Sequence, residues 1–86
     1  MARVALVTGG TRGIGAAISR TLKQQGRTVV ASYAGNDDAA KEFAADTGLK
    51  VMRFDAGDFA QCEQAVGQIA AEIGPIEILV NNAGIT

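Results

Sequence analysis

The chain has no histidine and no tryptophan, and only one cysteine, one proline and one tyrosine among 86 residues. A single thiol, Cys62, closes no internal disulfide. Without histidine there is no Cys/His zinc site and no His-based triad or proton relay. An excess of one charge is also missing. Eight Lys/Arg stand against nine Asp/Glu, a net charge of −1, so there is no basic field to attract nucleic acid or a membrane surface. No apolar run approaches the ~18 residues of a membrane span. The run after Met1-Ala2-Arg3, Val4-Ala5-Leu6-Val7, is too short for the core of a signal peptide. The expectation is a cytoplasmic protein with neither a nucleic-acid nor a membrane partner.

Apolar residues and glycine are plentiful. Apolar residues make up 48% of the chain, which argues against disorder. The length allows one domain at most, and a chain this short buries only slightly more than ~60% of its unfolded surface. Eleven glycines suggest tight turns at regular intervals.

Those turns separate short apolar runs from longer helical patterns. Val4–Val7 is a continuous apolar strand of the kind buried on both faces. Ile14, Ile18 and Leu22 recur every four residues and predict one buried helical face, ended by Gly26. Thr28–Tyr33 is a β-branched strand. A second helix runs to Thr47, with Phe43 on its buried side and Gly48 as its stop; Leu49–Phe54 is a third, weaker strand. Asp58 and Gln61 resemble a capping box for a third helix, whose apolar stripe is Cys62, Val66, Ile69 and Ile73. This places Cys62 as a small core residue rather than a nucleophile. After Gly74-Pro75, Ile76–Val80 reads as a fourth strand buried on both sides, followed by the turn Asn81-Asn82-Ala83-Gly84.

The β-α-β-α-β-α-β alternation predicts an α/β fold: a Rossmann-type doubly wound parallel sheet of strand order 3-2-1-4, with helices on both faces. That order puts a topological switch point between strands 1 and 4, where open α/β sheets bind ligands. The two turns most marked by glycine and asparagine, Thr8–Gly15 and Asn81–Gly84, border it.

Thr8-Gly9-Gly10-Thr11-Arg12-Gly13-Ile14-Gly15 joins strand 1 to helix 1. Glycines let a backbone turn sharply and approach a pyrophosphate with no Cβ in the way. Gly13 and Gly15 open the helix, where free N–H groups and the dipole favour an anion. The spacing is G-x3-G-x-G, in the strand–turn–helix setting that gives a glycine motif its meaning. The alternative is a purely structural turn.

Thr8–Gly15 resembles the cofactor motif of the short-chain dehydrogenase/reductase family, and Asn81-Asn82-Ala83-Gly84 resembles its second signature. The resemblance covers Arg3 to Thr86. Within the family, the wording Arg3–Gly15, with Tyr33–Asp37 and Gly74-Pro75-Ile76, is most similar to bacterial acetoacetyl-CoA reductases, then to 3-oxoacyl-carrier-protein reductases. It implies an NADPH-dependent reduction of a 3-oxoacyl thioester, carried on coenzyme A or acyl carrier protein, to the 3-hydroxyacyl product. It also implies a homotetramer, with contacts largely from later helices. The residues assigned to the cofactor are Gly9, Thr11, Arg12, Gly13, Ile14, Gly15, Ser32, Asp55, Ala56, Asn82, Ala83 and Gly84.

An NAD-binding unit usually places an acidic residue at the end of strand 2, on the ribose 2′-hydroxyl. Here that region holds Ser32 and Tyr33. With the cation Arg12 in the loop, this favours NADP(H). Arg12 as an ordinary solvated side chain is the competing reading. Asp37 is expected to cap helix 2; should it or Asp38 reach the ribose, the preference reverses. Asp55 has two readings, a turn residue before Gly57 and, by resemblance, a partner of the adenine amino group with the Ala56 N–H on a ring nitrogen.

The family reduces a carbonyl with a Tyr as general acid, a Lys four residues on, and a Ser and an Asn. All four lie C-terminal to its Asn-Asn-Ala-Gly motif. Tyr33, the sole tyrosine, has Asp37 four residues on. No residue here is therefore assigned to catalysis, and residues 1–86 are expected to be the N-terminal part of one NADP(H)-binding domain. Two other readings compete: a free-standing nucleotide-binding module without chemistry, and an inactive fragment.

Overall fold

The computed structural model describes residues 3–82. Seven elements alternate: β1 (Val4–Thr8), α1 (Gly13–Gln24), β2 (Thr28–Tyr33), α2 (Asp37–Thr47), β3 (Lys50–Arg53), α3 (Phe59–Glu72) and β4 (Ile76–Asn81). The four strands form one parallel sheet in the order β3-β2-β1-β4, as the alternation predicts.

The strands are central because their side chains are apolar on both faces. Every residue of β1 is buried. Val4 and Leu6, with Val30, face Ala65 and Ile69 of α3. Ala5 and Val7, with Val29, face Ile18 and Leu22 of α1. The Arg20 guanidinium lies over the Phe43 ring, 5.4 Å from its centroid, and pairs with Asp46 at 2.8 Å. These contacts hold α2 beside α1, on the side opposite α3.

Local chemistry sets the helix ends. Gly26 takes φ 84°; its N–H donates to the Lys23 carbonyl and that of Arg27 to the Leu22 carbonyl, the paired closure of a Schellman motif. Gly48 closes α2 at φ 73°. The cap of α2 departs from expectation. Asn36, not Asp37, accepts the Ala39 N–H at 3.0 Å, and Asp37 is the first helical residue, its carboxylate on Arg53.

Three apolar patterns need correction. Ile14 is 72% exposed: it stands in the first turn of α1, beyond the end of the sheet against which Ile18 is half-buried. Val66 is exposed too, because α3 meets the sheet through Ala65 and Ile69 instead. β4 alternates between half-buried and exposed rather than being buried on both faces. The pairing slips between Val4 and Ala5, so Glu77 has no partner in β1, and Leu79, opposite Leu6, is 63% exposed. One helix leaves that end of the α3 side uncovered. β3 is shorter than the predicted Leu49–Phe54, spanning Lys50–Arg53.

Candidate functional site

A cleft of about 790 Å³ lies at the carboxyl ends of the strands, within the range of small-molecule sites. The β1–α1 loop contributes Gly9, Thr11, Arg12, Gly13 and Ile14 to its lining. β2 and the following turn contribute Ser32 to Asn36. The end of β3 contributes Asp55 and Ala56, and the end of β4 Asn81 and Asn82. Strand order alone gathers these distant segments at the predicted switch point. Of the residues assigned from sequence, nine line the cleft: Gly9, Thr11, Arg12, Gly13, Ile14, Ser32, Asp55, Ala56 and Asn82. Ala83 and Gly84 lie outside the described residues. Gly15 does not line the cleft.

Each loop glycine has its own reason. A Cβ on Gly15 would sit 2.0 Å from the Gly9 carbonyl oxygen and 2.7 Å from Asn82 Nδ2. Gly15 therefore lets the first turn of α1 pass beneath the loop. Gly13 takes φ +56° with open space where a Cβ would be, so conformation, not crowding, selects it. The second glycine of the pair, Gly10, was not assigned from sequence. A Cβ there would meet Ser19 Oγ and the Val7 carbonyl, each at 2.8 Å.

Hydrogen bonds fix the loop from behind. The Gly10 N–H donates to the Ser32 carbonyl at 3.0 Å. Ser19, wholly buried, donates toward the Gly10 and Gly15 carbonyls at 3.1 and 2.9 Å. Asn82 Nδ2 donates to the Gly9 carbonyl at 3.2 Å, and the Asn82 N–H to Thr8 Oγ1 at 2.9 Å. Sequence reasoning passed over Ser19, although a serine four residues after Gly15 on an apolar helix face is the signal that marks it.

The front of the loop is different. Among the described residues, no acceptor engages the N–H groups of Gly13, Ile14 and Gly15. These are the orphan donors of a helix start, with the positive end of the dipole behind them. The α1 cap, Arg12, makes no side-chain cap, and its guanidinium has no carboxylate partner among the described residues.

The β3 end is organised around Asp55. Its Oδ1 accepts the Gly57 N–H at 2.8 Å, and its own N–H donates to Gln61 Oε1 at 2.8 Å. Asp58 caps α3 by accepting the Gln61 N–H at 3.2 Å. This corrects the capping box: the Gln61 side chain reaches past Asp58 to Asp55. The turn reading of Asp55 holds in the structure, and its Oδ2 still has no partner among the described residues. Cys62 is half-buried, its thiol 3.3 Å from the Ala56 carbonyl.

Comparison with known proteins agrees with this geometry. An acetoacetyl-CoA reductase of Shinella zoogloeoides is 59% identical over 86 residues, all of this chain and 36% of that protein. A 3-oxoacyl-acyl-carrier-protein reductase of Salmonella typhimurium is 42% identical over 86 residues, 98% of this chain and 35% of that one. A solved structure of a blue fluorescent protein from a metagenomic library, in complex with NADPH, matches with a TM-score of 0.86 at 40% identity, covering 96% of this chain and 36% of that one. The chain thus spans about a third of the length of these relatives. The family model described as short chain dehydrogenase matches residues 3–86. Loop, switch point and these likenesses together make the chain a member of the short-chain dehydrogenase family.

Proposed function

We propose that this chain is the cofactor-binding part of an NADPH-dependent oxidoreductase that reduces a 3-oxoacyl thioester, such as acetoacetyl-CoA, to the 3-hydroxyacyl thioester. The observation that carries the reading is the pair of N–H groups at Gly13 and Ile14, unengaged among the described residues, on the lining of a cleft at the switch point. The residues fit the group. The loop offers the diphosphate amides with no Cβ at Gly13, and Arg12 offers a 2′-phosphate a guanidinium with no carboxylate competitor among the described residues. Asp37, the acid nearest the end of β2, is turned onto Arg53 through both carboxylate oxygens, at 3.2 and 3.0 Å, which supports NADP(H) over NAD(H). At the β3 end of the cleft, Asp55 Oδ2, without a partner among the described residues, can accept, and the neighbouring Ala56 N–H can donate. That pair complements the amino donor and ring-nitrogen acceptor on the edge of adenine.

When bound, the dinucleotide supplies the hydride for the 3-oxo carbon. Proton donation to the developing alkoxide is assigned to no residue of this chain. The substrate class rests on the likeness to the acetoacetyl-CoA reductase and the carrier-protein reductase.

Isothermal titration of the chain with NADPH and NADH tests the cofactor reading. The expected result is tighter binding of NADPH, lost selectively in Arg12→Met. Equal binding of the two coenzymes removes the role given to Arg12, and binding of neither removes the proposal.

A further inference from the structure

We propose that Gln61 is a positioning residue that sets this chain's selectivity for adenine. This rests on the adenine reading of Asp55 and Ala56 given above. Gln61 stands in the first turn of α3 and does not line the cleft. Its amide nevertheless spans the loop that does. Oε1 accepts the Asp55 N–H at 2.8 Å, Nε2 donates to Asp58 Oδ2 at 3.3 Å, and its backbone N–H donates to Asp58 Oδ1 at 3.2 Å. The Asp58 N–H in turn donates to the Asp55 carbonyl at 3.0 Å.

This bracing has a chemical consequence. Asp55 and Ala56 present two backbone N–H donors in succession, and Gln61 takes the first. The Gly57 N–H holds one Asp55 carboxylate oxygen. Among the described residues, the groups then left unengaged are one acceptor, Asp55 Oδ2, beside one donor, the Ala56 N–H. Adenine presents the complementary donor and acceptor on its Watson–Crick edge, and hypoxanthine presents the reverse. If the Asp55 N–H were released, the loop would offer a second donor beside that of Ala56. Selectivity would then fall even with Asp55 and Ala56 in place.

The test compares NADP+ with nicotinamide hypoxanthine dinucleotide phosphate by titration of the full chain. The wild type is expected to favour the adenine form roughly tenfold, the size of one well-placed base contact. Gln61→Leu keeps the backbone donor for the α3 cap but cannot accept from Asp55; the preference should drop to about threefold or less. The double variant Asp58→Asn, Gln61→Glu reverses the donor and acceptor between the two side chains and keeps an acceptor for the Asp55 N–H. It should restore the wild-type ratio, which a merely structural role of Gln61 does not predict. Should Gln61→Leu fail to fold, the ratio in the double variant decides. An unchanged ratio in Gln61→Leu, or no preference in the double variant, overturns the inference with the adenine reading intact. Equal binding of both coenzymes by the wild type overturns the adenine reading itself, and this inference with it.

Discussion

At the scale of single residues, the loop separates two reasons for glycine. Gly15 is crowded: an added methyl would lie 2.0 Å from a backbone oxygen that cannot rotate away. Gly13 is uncrowded but left-handed at φ +56°. Gly15→Ala should therefore cost about 3 kcal/mol or more, as severe overpacking does, and Gly13→Ala about 1–2 kcal/mol, the strain of a left-handed alanine. Urea denaturation should give that ranking; a costlier Gly13→Ala would contradict the assigned causes. Ser19→Ala should cost about 1–2 kcal/mol, because the one buried hydroxyl proton shared between the Gly10 and Gly15 carbonyls is lost. The spacing Gly9–Gly13–Gly15 was legible in the sequence, since a motif is a local pattern. What distinguishes Gly13 from Gly15 was not, since a spacing carries neither the left-handed φ of Gly13 nor the 2.0 Å approach of Gly15 to the Gly9 carbonyl oxygen, which only the folded turn creates. For the same reason Thr11, Arg12 and Ile14 could be placed in the loop from sequence, but the bond from the Gly10 N–H to the Ser32 carbonyl could not.

At the scale of elements, composition and spacing foretold all seven, and the errors cluster at ends and edges. Asp37 had the chemistry of a cap, but a cap is chosen by where the chain turns, and the turn falls one residue earlier, at Asn36. The carboxylate so released is held by Arg53 from β3, a long-range partner that no local window contains. Asn36→Ala should then destabilise the chain by about 1 kcal/mol, the usual worth of a side-chain cap. Asp37→Ala should cost less, about 0–1 kcal/mol, since an exposed ion pair contributes little. Thermal unfolding of the two variants distinguishes the assignments; a larger loss in Asp37→Ala would return the cap to Asp37. Ile14 and Val66 show the same limit from the apolar side. Their spacing matches a buried stripe, but burial requires a surface opposite. The sheet ends before Ile14, and α3 turns Ala65 rather than Val66 inward.

At the scale of the whole molecule, the α1 face and the α3 face are not equally covered. α1 closes over Ala5, Val7, Ile78 and Val80, and the Arg20 contacts with Phe43 and Asp46 bind α2 alongside it. On the other face α3 covers Val4, Leu6 and Val30 and leaves Leu79 63% exposed. β4 also has a hydrogen-bonded neighbour on its β1 side only, among the described residues. Strands of parallel sheets are ordinarily covered on both faces, and an open edge carrying an exposed apolar side chain is a template for further pairing. In isolation the 86-residue chain should associate in a concentration-dependent way through β4. Leu79→Lys should suppress that association, because edge lysines oppose strand addition. The same substitution should change folding stability by no more than about 0.5 kcal/mol, the typical effect at an exposed position. Sedimentation velocity over a concentration series, paired with urea denaturation, reads both quantities. Association that persists unchanged in Leu79→Lys would move the contact away from β4, to another exposed apolar position such as Phe59 at the start of α3.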